Sequence, residues 1–220
     1  MIRDLYAGKR SKNRLGVIVG TGPSLDEADV KLARAMGVPL FGANRAAELG
    51  MDVVLGCNTQ FWDRYYLWYE GMNCDLWSTR PDALSNRWPE VRYIREVWRD
   101  GISVVNSCIH AHHGSGPQIF NLAYHYGIRT FLLIGWDMRY GGKISDTNYE
   151  EPRHFFGEYP PCLQHWPKTG PNGELTGLIK AMETIDPEKY AIKVFNCTPN
   201  SALTHFQSED FTEAVHAYCS

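Results

Sequence analysis

The sequence lacks any apolar stretch near the roughly 20 residues that span a bilayer, and its first ten residues, Met-Ile-Arg-Asp-Leu-Tyr-Ala-Gly-Lys-Arg, are mixed and charged. A membrane span and a cleaved secretion signal are therefore not expected, and the expected location is the cytoplasm. Positive charge is not in excess: 22 Lys and Arg stand against 25 Asp and Glu, a formal net charge of −3. Bulk electrostatics would not hold such a chain on nucleic acid or an anionic membrane, so any such contact has to be a local basic patch. Paired cysteines are also missing. Cys57, Cys74, Cys108, Cys162, Cys197 and Cys219 stand singly, without the spacing of a zinc site or a redox motif, and read as buried free thiols. No internal repeat or low-complexity tract occurs.

What is present is an ordinary globular composition of 220 residues, 44% apolar and 21% charged, enough for one domain or one domain with a small lid. Aromatic residues make up 13%. That many rings can line a cleft as well as fill a core or an interface.

Residues 14–25, Arg-Leu-Gly-Val-Ile-Val-Gly-Thr-Gly-Pro-Ser-Leu, read as a buried strand ending in a glycine turn at Gly20 and Gly22 and then opening a helix. A glycine pair after a first parallel strand permits a tight turn and close ligand approach, and the following helix offers unpaired N–H groups. Ser24 stands where an N-cap belongs, with Glu27 as its capping-box partner. The third glycine of a dinucleotide fingerprint is absent and Pro23 fills the turn. The loop therefore points to a nucleotide or sugar-nucleotide rather than to NAD, or else to a turn that binds nothing.

Helical spacing covers 27–36 and stops at Gly37; strands are expected at 38–43, leading into Asn44, and at 52–57, ending at Asn58. An aromatic helix through Phe61, Tyr65 and Trp68 follows. Short strands are expected at 75–79, 92–97 and 102–105. Gly114-Ser-Gly-Pro-Gln opens a helix that ends at Gly127, and 129–135 is an apolar strand leading to Trp136 and Asp137. A helix at 175–185, a strand at 190–197 and a helix at 209–218 complete the pattern, an α/β chain with a mostly parallel sheet and flanking helices. Residues 139–172, rich in Gly, Pro, Tyr and His, form a long irregular segment that reads as a lid-like insertion or as a passive surface excursion. The successive strand ends place polar groups where parallel sheets bind ligands.

The ordered set Gly-Thr-Gly-Pro-Ser-Leu (20–25), Asn44, Asn58, Gly-Ser-Gly (114–116), Leu-Ile-Gly-Trp-Asp (133–137) and Asn-Cys-Thr-Pro-Asn-Ser-Ala-Leu (196–203) resembles bacterial lipo-oligosaccharide sialyltransferases. The broader group includes motility-accessory-factor glycosyltransferases and 6-hydroxymethylpterin diphosphokinase-like proteins. Short phage-encoded members are more similar still, through Trp62-Asp63-Arg64-Tyr65 and His154-Phe155-Phe156-Gly157. The resemblance implies a single Rossmann-like domain over 1–220 and a glycosyltransferase that moves a sugar from a nucleotide-sugar donor, its co-substrate, to an acceptor hydroxyl. It implies that Gly20, Thr21, Gly22, Pro23 and Ser24 hold the donor phosphate and ribose, that Asn44 and Asn58 read the nucleotide, and that Ser115 and Gly116 contact the base or the sugar. His165 matches the general base, a task that suits an imidazole; Tyr140 and Tyr149 match lid tyrosines that help the phosphate leave. Two positions depart from the pattern: Thr21 replaces an Asn, and Arg139 lies where a lid tyrosine is often found, so CMP-sialic acid is not implied as the donor.

Other readings stay open. Asp137 is a ribose or metal ligand, or a cap for the next turn. His154 competes with His165 as base. His110, His112 and His113 lack a partnering carboxylate or cysteine and read as a solvated cluster before a metal site; a divalent metal is compatible but not predicted. Asn200 and Ser201 read as a turn and an N-cap. Besides glycosyl transfer, the chain fits an Mg-dependent pyrophosphokinase, for which Asp137 and Asp146 are available without forming a convincing pair. It also fits a non-catalytic nucleotide- or nucleic-acid-binding phage protein, located in the host cytoplasm; nucleic acid is not favoured by charge. Acceptor and oligomeric state are left open.

Overall fold

A computed structural model describes residues 14–110, 114–139, 155–157 and 173–219. The elements in chain order are β1 (Leu15–Val19), α1 (Glu27–Ala35), β2 (Leu40–Ala43), a 3-10 turn (Asn44–Leu49), β3 (Val53–Gly56), α2 (Thr59–Tyr69), β4 (Asp75–Ser78) and a second 3-10 turn (Pro81–Ser85). There follow β5 (Val91–Tyr93), β6 (Arg95–Val97), β7 (Cys108–His110), α3 (Ser115–His125), β8 (Thr130–Ile134), α4 (Gly173–Glu183), β9 (Lys193–Asn196), β10 (Gln207–Ser208) and α5 (Phe211–Tyr218).

Eight strands form one parallel sheet in the order β10-β9-β8-β1-β2-β3-β4-β5, while β6 and β7 pair only with each other. The chain first builds outward from β1 to β5, then returns to the far side of β1 and builds through β8 to β10. Val17 is in register with Leu40 on one side and with Leu132 on the other. The order thus reverses between β1 and β8, the position where open α/β sheets form a crevice. This is a single α/β Rossmann-like fold.

Both faces of the sheet are covered, so its central strands are near-continuous apolar runs rather than alternating. Val17 and Val19 of β1 and Leu132 and Ile134 of β8 pack with Val30 and Ala33 of α1, Phe61 of α2 and Val215 of α5. Ile18, Phe131 and Leu133 face the other way, onto Ile119, Phe120 and Ala123 of α3 and Met182 of α4. Phe120 stacks on Phe131 with ring centroids 4.2 Å apart. Burying each such side chain contributes about 1.5–3 kcal/mol.

Several boundaries differ from the sequence reading. α1 is capped by Asp26, whose carboxylate accepts from the Ala28 amide at 2.8 Å; Ser24 is not the N-cap because its hydroxyl is engaged elsewhere. The run 92–97 divides between two sheets: Ile94 belongs to neither, its N–H donating to the Ser78 carbonyl at 2.9 Å. Residues 102–105 form no strand, since Asn121 claims their backbone through Ser103 N–H and C=O, and the strand lies at Cys108–His110 instead. Strand β9 starts at Lys193 because Ala191 is left-handed, with φ 50°. Asn200 is a turn residue with φ 54°, and Ser201 caps no helix; its hydroxyl donates to the Trp136 carbonyl. No helix among the described residues is long and apolar enough to cross a membrane.

Candidate functional site

The loops at the carboxyl edge of the sheet fall into two groups. The first joins the ends of β1 and β8. Gly20 N–H donates to Ile134 O at 2.8 Å and Gly22 N–H to Gly135 O at 2.9 Å. Ser24 gives both of its donors to Asp137, the amide to Oδ1 at 3.2 Å and the hydroxyl to Oδ2 at 2.9 Å. A Cβ on Gly20 would overlap the Gly135 carbonyl, and one on Gly22 would overlap the Asp137 carboxylate. The glycines are therefore required by the close approach of one loop to the other. Their amides, expected to cradle a phosphate, already have partners inside the protein, and Pro23 has no amide to offer. The helix behind this turn is closed as well, because Asp26 caps α1 and Glu27 and Asp29 fill its first turn. That negative charge opposes an anion at its N-terminus. Burial raises the Asp137 carboxyl above the ordinary carboxylate range, against the pull of its bonds from Ser24.

The second group lies after β2, β3 and β4. Asn44, left-handed with φ 53°, donates from Nδ2 to Ser115 Oγ at 2.9 Å, so two residues 71 positions apart meet as the strand-end logic expects. Asn58 precedes α2 and Gly114 precedes α3, and neither helix has a side-chain cap. Each is 11 residues long; the start of α3 carries unpaired positive character, while at α2 the Thr59 hydroxyl donates to Asp82 Oδ2 at 3.1 Å and brings a carboxylate there. Between them sits Cys57, whose carbonyl accepts from Arg80 Nε and whose thiol donates to Gln118 Oε1. Gln118 Nε2 then donates to Glu96 Oε2 at 3.2 Å. Thr79, 3% exposed, keeps a buried Oγ1 with no hydrogen-bond partner. Burial first, and then the Glu96 charge, pushes the Cys57 thiol up to about 12, so it acts here as a neutral donor. Gly116 lets α3 start against Trp136: a Cβ there would lie 3.1 Å from the indole ring.

Sequence reasoning missed Arg80, Glu96, Gln118 and Thr79. Thr79 and Arg80 follow β4 directly and obey the same strand-end rule as Asn44 and Asn58. Glu96 carried no comparable signal, because β6 belongs to the small second sheet.

Of the expected lid, residues 155–157 are described: Phe155 touches the first group, and Phe156 touches Arg45, which follows β2. Phe155 N–H donates to Thr21 O at 2.9 Å, and Arg45 Nη1 donates to Phe156 O at 2.8 Å with its guanidinium 5.1 Å from the Phe156 ring centroid. His165, Tyr140, Tyr149, His154, Asp146, His112 and His113 lie outside the described residues. His110 places Nδ1 2.8 Å from the Asp100 carbonyl. Among the described residues no group of three or more His, Cys, Asp or Glu side chains is placed to hold a metal ion.

The chain is similar to the solved structure of an MAf glycosyltransferase from Magnetospirillum magneticum. The two share 17% identity with a TM-score of 0.57 over 91% of this chain. The fold is therefore shared. This chain spans 34% of that protein's length, about a third. No protein-family model and no curated protein matches the sequence.

Proposed function

We propose that the protein is a glycosyltransferase that uses a nucleotide-sugar donor and that the second loop group holds the donor's anionic centre. The observation that carries this reading is the convergence of two uncapped helix starts and Arg80 on the Cys57 and Asn58 junction. Backbone N–H groups at helix starts and a guanidinium suit phosphate oxygens, and phosphate is the leaving group of sugar transfer. Asn44 and Ser115 add neutral donors and acceptors for base, ribose or sugar hydroxyls. Arg80 is half-buried and forms no ion pair among the described residues, which leaves it a charge for a ligand to neutralise. The shared fold with a glycosyltransferase supports the same reading.

The resemblance implies His165 as a general base and Tyr140 and Tyr149 as groups that assist departure of the phosphate; the motility-accessory-factor-like and phage-encoded assignments rest on the resemblance too. Gly20, Thr21, Gly22, Pro23, Ser24 and Asp137 act in this proposal as the scaffold beside the donor, through the contact between the β1 and β8 loops.

Thermal unfolding with CMP, UDP, GDP, ADP and ATP, each with and without Mg²⁺, tests the reading. A bound product nucleotide at 100 times its Kd stabilises by about 2.7 kcal/mol, and a tenfold or greater loss of affinity in Arg80→Ala should cut that shift to about 1.4 kcal/mol or less. Stabilisation by Mg-ATP alone favours pyrophosphoryl transfer, and no response to any nucleotide refutes both.

A further inference from the structure

We propose that Glu96, rather than His165, accepts the proton of the acceptor hydroxyl; this rests on the glycosyltransferase reading and names its base. Glu96 is half-buried on β6, and Gln118 holds its Oε2 while Oε1 has no hydrogen bond among the described residues. Gln118 is itself 4% exposed and is fixed from behind by the Cys57 thiol. A chain of two hydrogen bonds, Cys57 to Gln118 to Glu96, thus aims one carboxylate from the end of β3. The same cysteine holds Arg80 through its carbonyl. One strand end therefore anchors a cation by its backbone and an anion through its side chain, yet no ion pair joins Arg80 to Glu96 or either of them to another described residue. Partial exposure lets each group keep its charge without an ion pair. Kept apart, they match the two ends of one reaction: charge leaves on phosphate at Arg80, and a proton arrives at Glu96.

The step balances. The acceptor oxygen bonds to the anomeric carbon as the bond from that carbon to the phosphate oxygen breaks. The bonding pair leaves on the nucleotide phosphate, and the acceptor proton moves to Glu96 Oε1. A base held in place in this way contributes about 10²–10⁴-fold.

Glu96→Gln keeps a carbonyl for Gln118 Nε2 and so preserves the chain of contacts. The protein is incubated with CMP-, UDP-, GDP- and ADP-sugars and nucleotide release is followed across pH, beside thermal shifts with the product nucleotides. The expected result is about a 100-fold or greater loss of turnover in Glu96→Gln, with nucleotide binding retained, the acid limb of the pH profile gone, and partial rescue by Glu96→Asp. His165→Ala keeps that acid limb. If wild type turns over a donor and Glu96→Gln matches it with the acid limb intact, the assignment of Glu96 is overturned and the transferase reading stands. If wild type neither binds nor cleaves any donor, both fall.

Discussion

The turn after β1 and the junction after β3 lie on the same edge of one sheet, and they solve opposite problems. The first is closed: its amides bond the β8 loop, Ser24 is committed to Asp137, and Asp26 caps the helix behind it. The second is open: its helices start uncapped, Thr79 Oγ1 is unpartnered, and Arg80 and Glu96 lie nearby without neutralising each other. The glycine motif that stands out in the sequence is thus spent on joining β1 to β8 at the point where strand order reverses. The site proposed above centres instead on a plainer stretch, Gly-Cys-Asn, after β3, two strands further along the sheet.

The largest test of this division is Glu96→Gln, for which the loss of turnover should reach about 100-fold at unchanged nucleotide affinity. Gly22→Ala probes the closed side. Its Cβ must displace the Asp137 carboxylate, so urea unfolding should show a loss of about 1–3 kcal/mol; unchanged stability would mean that the two loops can part freely. Arg80→Ala should weaken product-nucleotide binding by tenfold or more, about 1.4 kcal/mol, while leaving the unfolding midpoint of the free protein near that of wild type. Asp26→Ala gives the mirror image, costing about 1 kcal/mol through the lost cap with nucleotide affinity unchanged. An affinity change there would bring α1 into the site.

The smallest effect concerns Asp137. Burial raises its folded-state value, so the folded chain binds this proton more tightly than the unfolded chain does. The group's contribution is then full below the unfolded value of about 3.9 and is lost as pH rises through the folded value. Asp137→Asn, which cannot titrate, should gain on wild type between about pH 3 and 7 in urea midpoints. A gap that widens in favour of wild type would show that the bonds from Ser24 outweigh burial.

The doubly covered sheet was legible in the sequence because continuous apolar runs such as Leu15–Val19 and Thr130–Ile134 have one good solution, burial on both faces. The meeting of Asn44 with Ser115 followed from strand-end placement alone. Capping was misread because Ser24 and Asp26 are both competent caps, and only the distant Asp137 decides which of them is free. The division at Ile94 was hidden because a run of strand-forming residues does not say which sheet each half joins. Glu96 was hidden with it, since its position depends on Gln118, 22 residues away.

Ile94 has one more consequence. By handing the chain from the eight-stranded sheet to the separate β6 and β7 pair, it makes the ribbon that bears Glu96 a detachable part. Insertions or exchanges within that ribbon leave the register of every strand in the main sheet untouched. The ribbon can therefore change in length and side chains while the frame that carries both loop groups keeps its geometry.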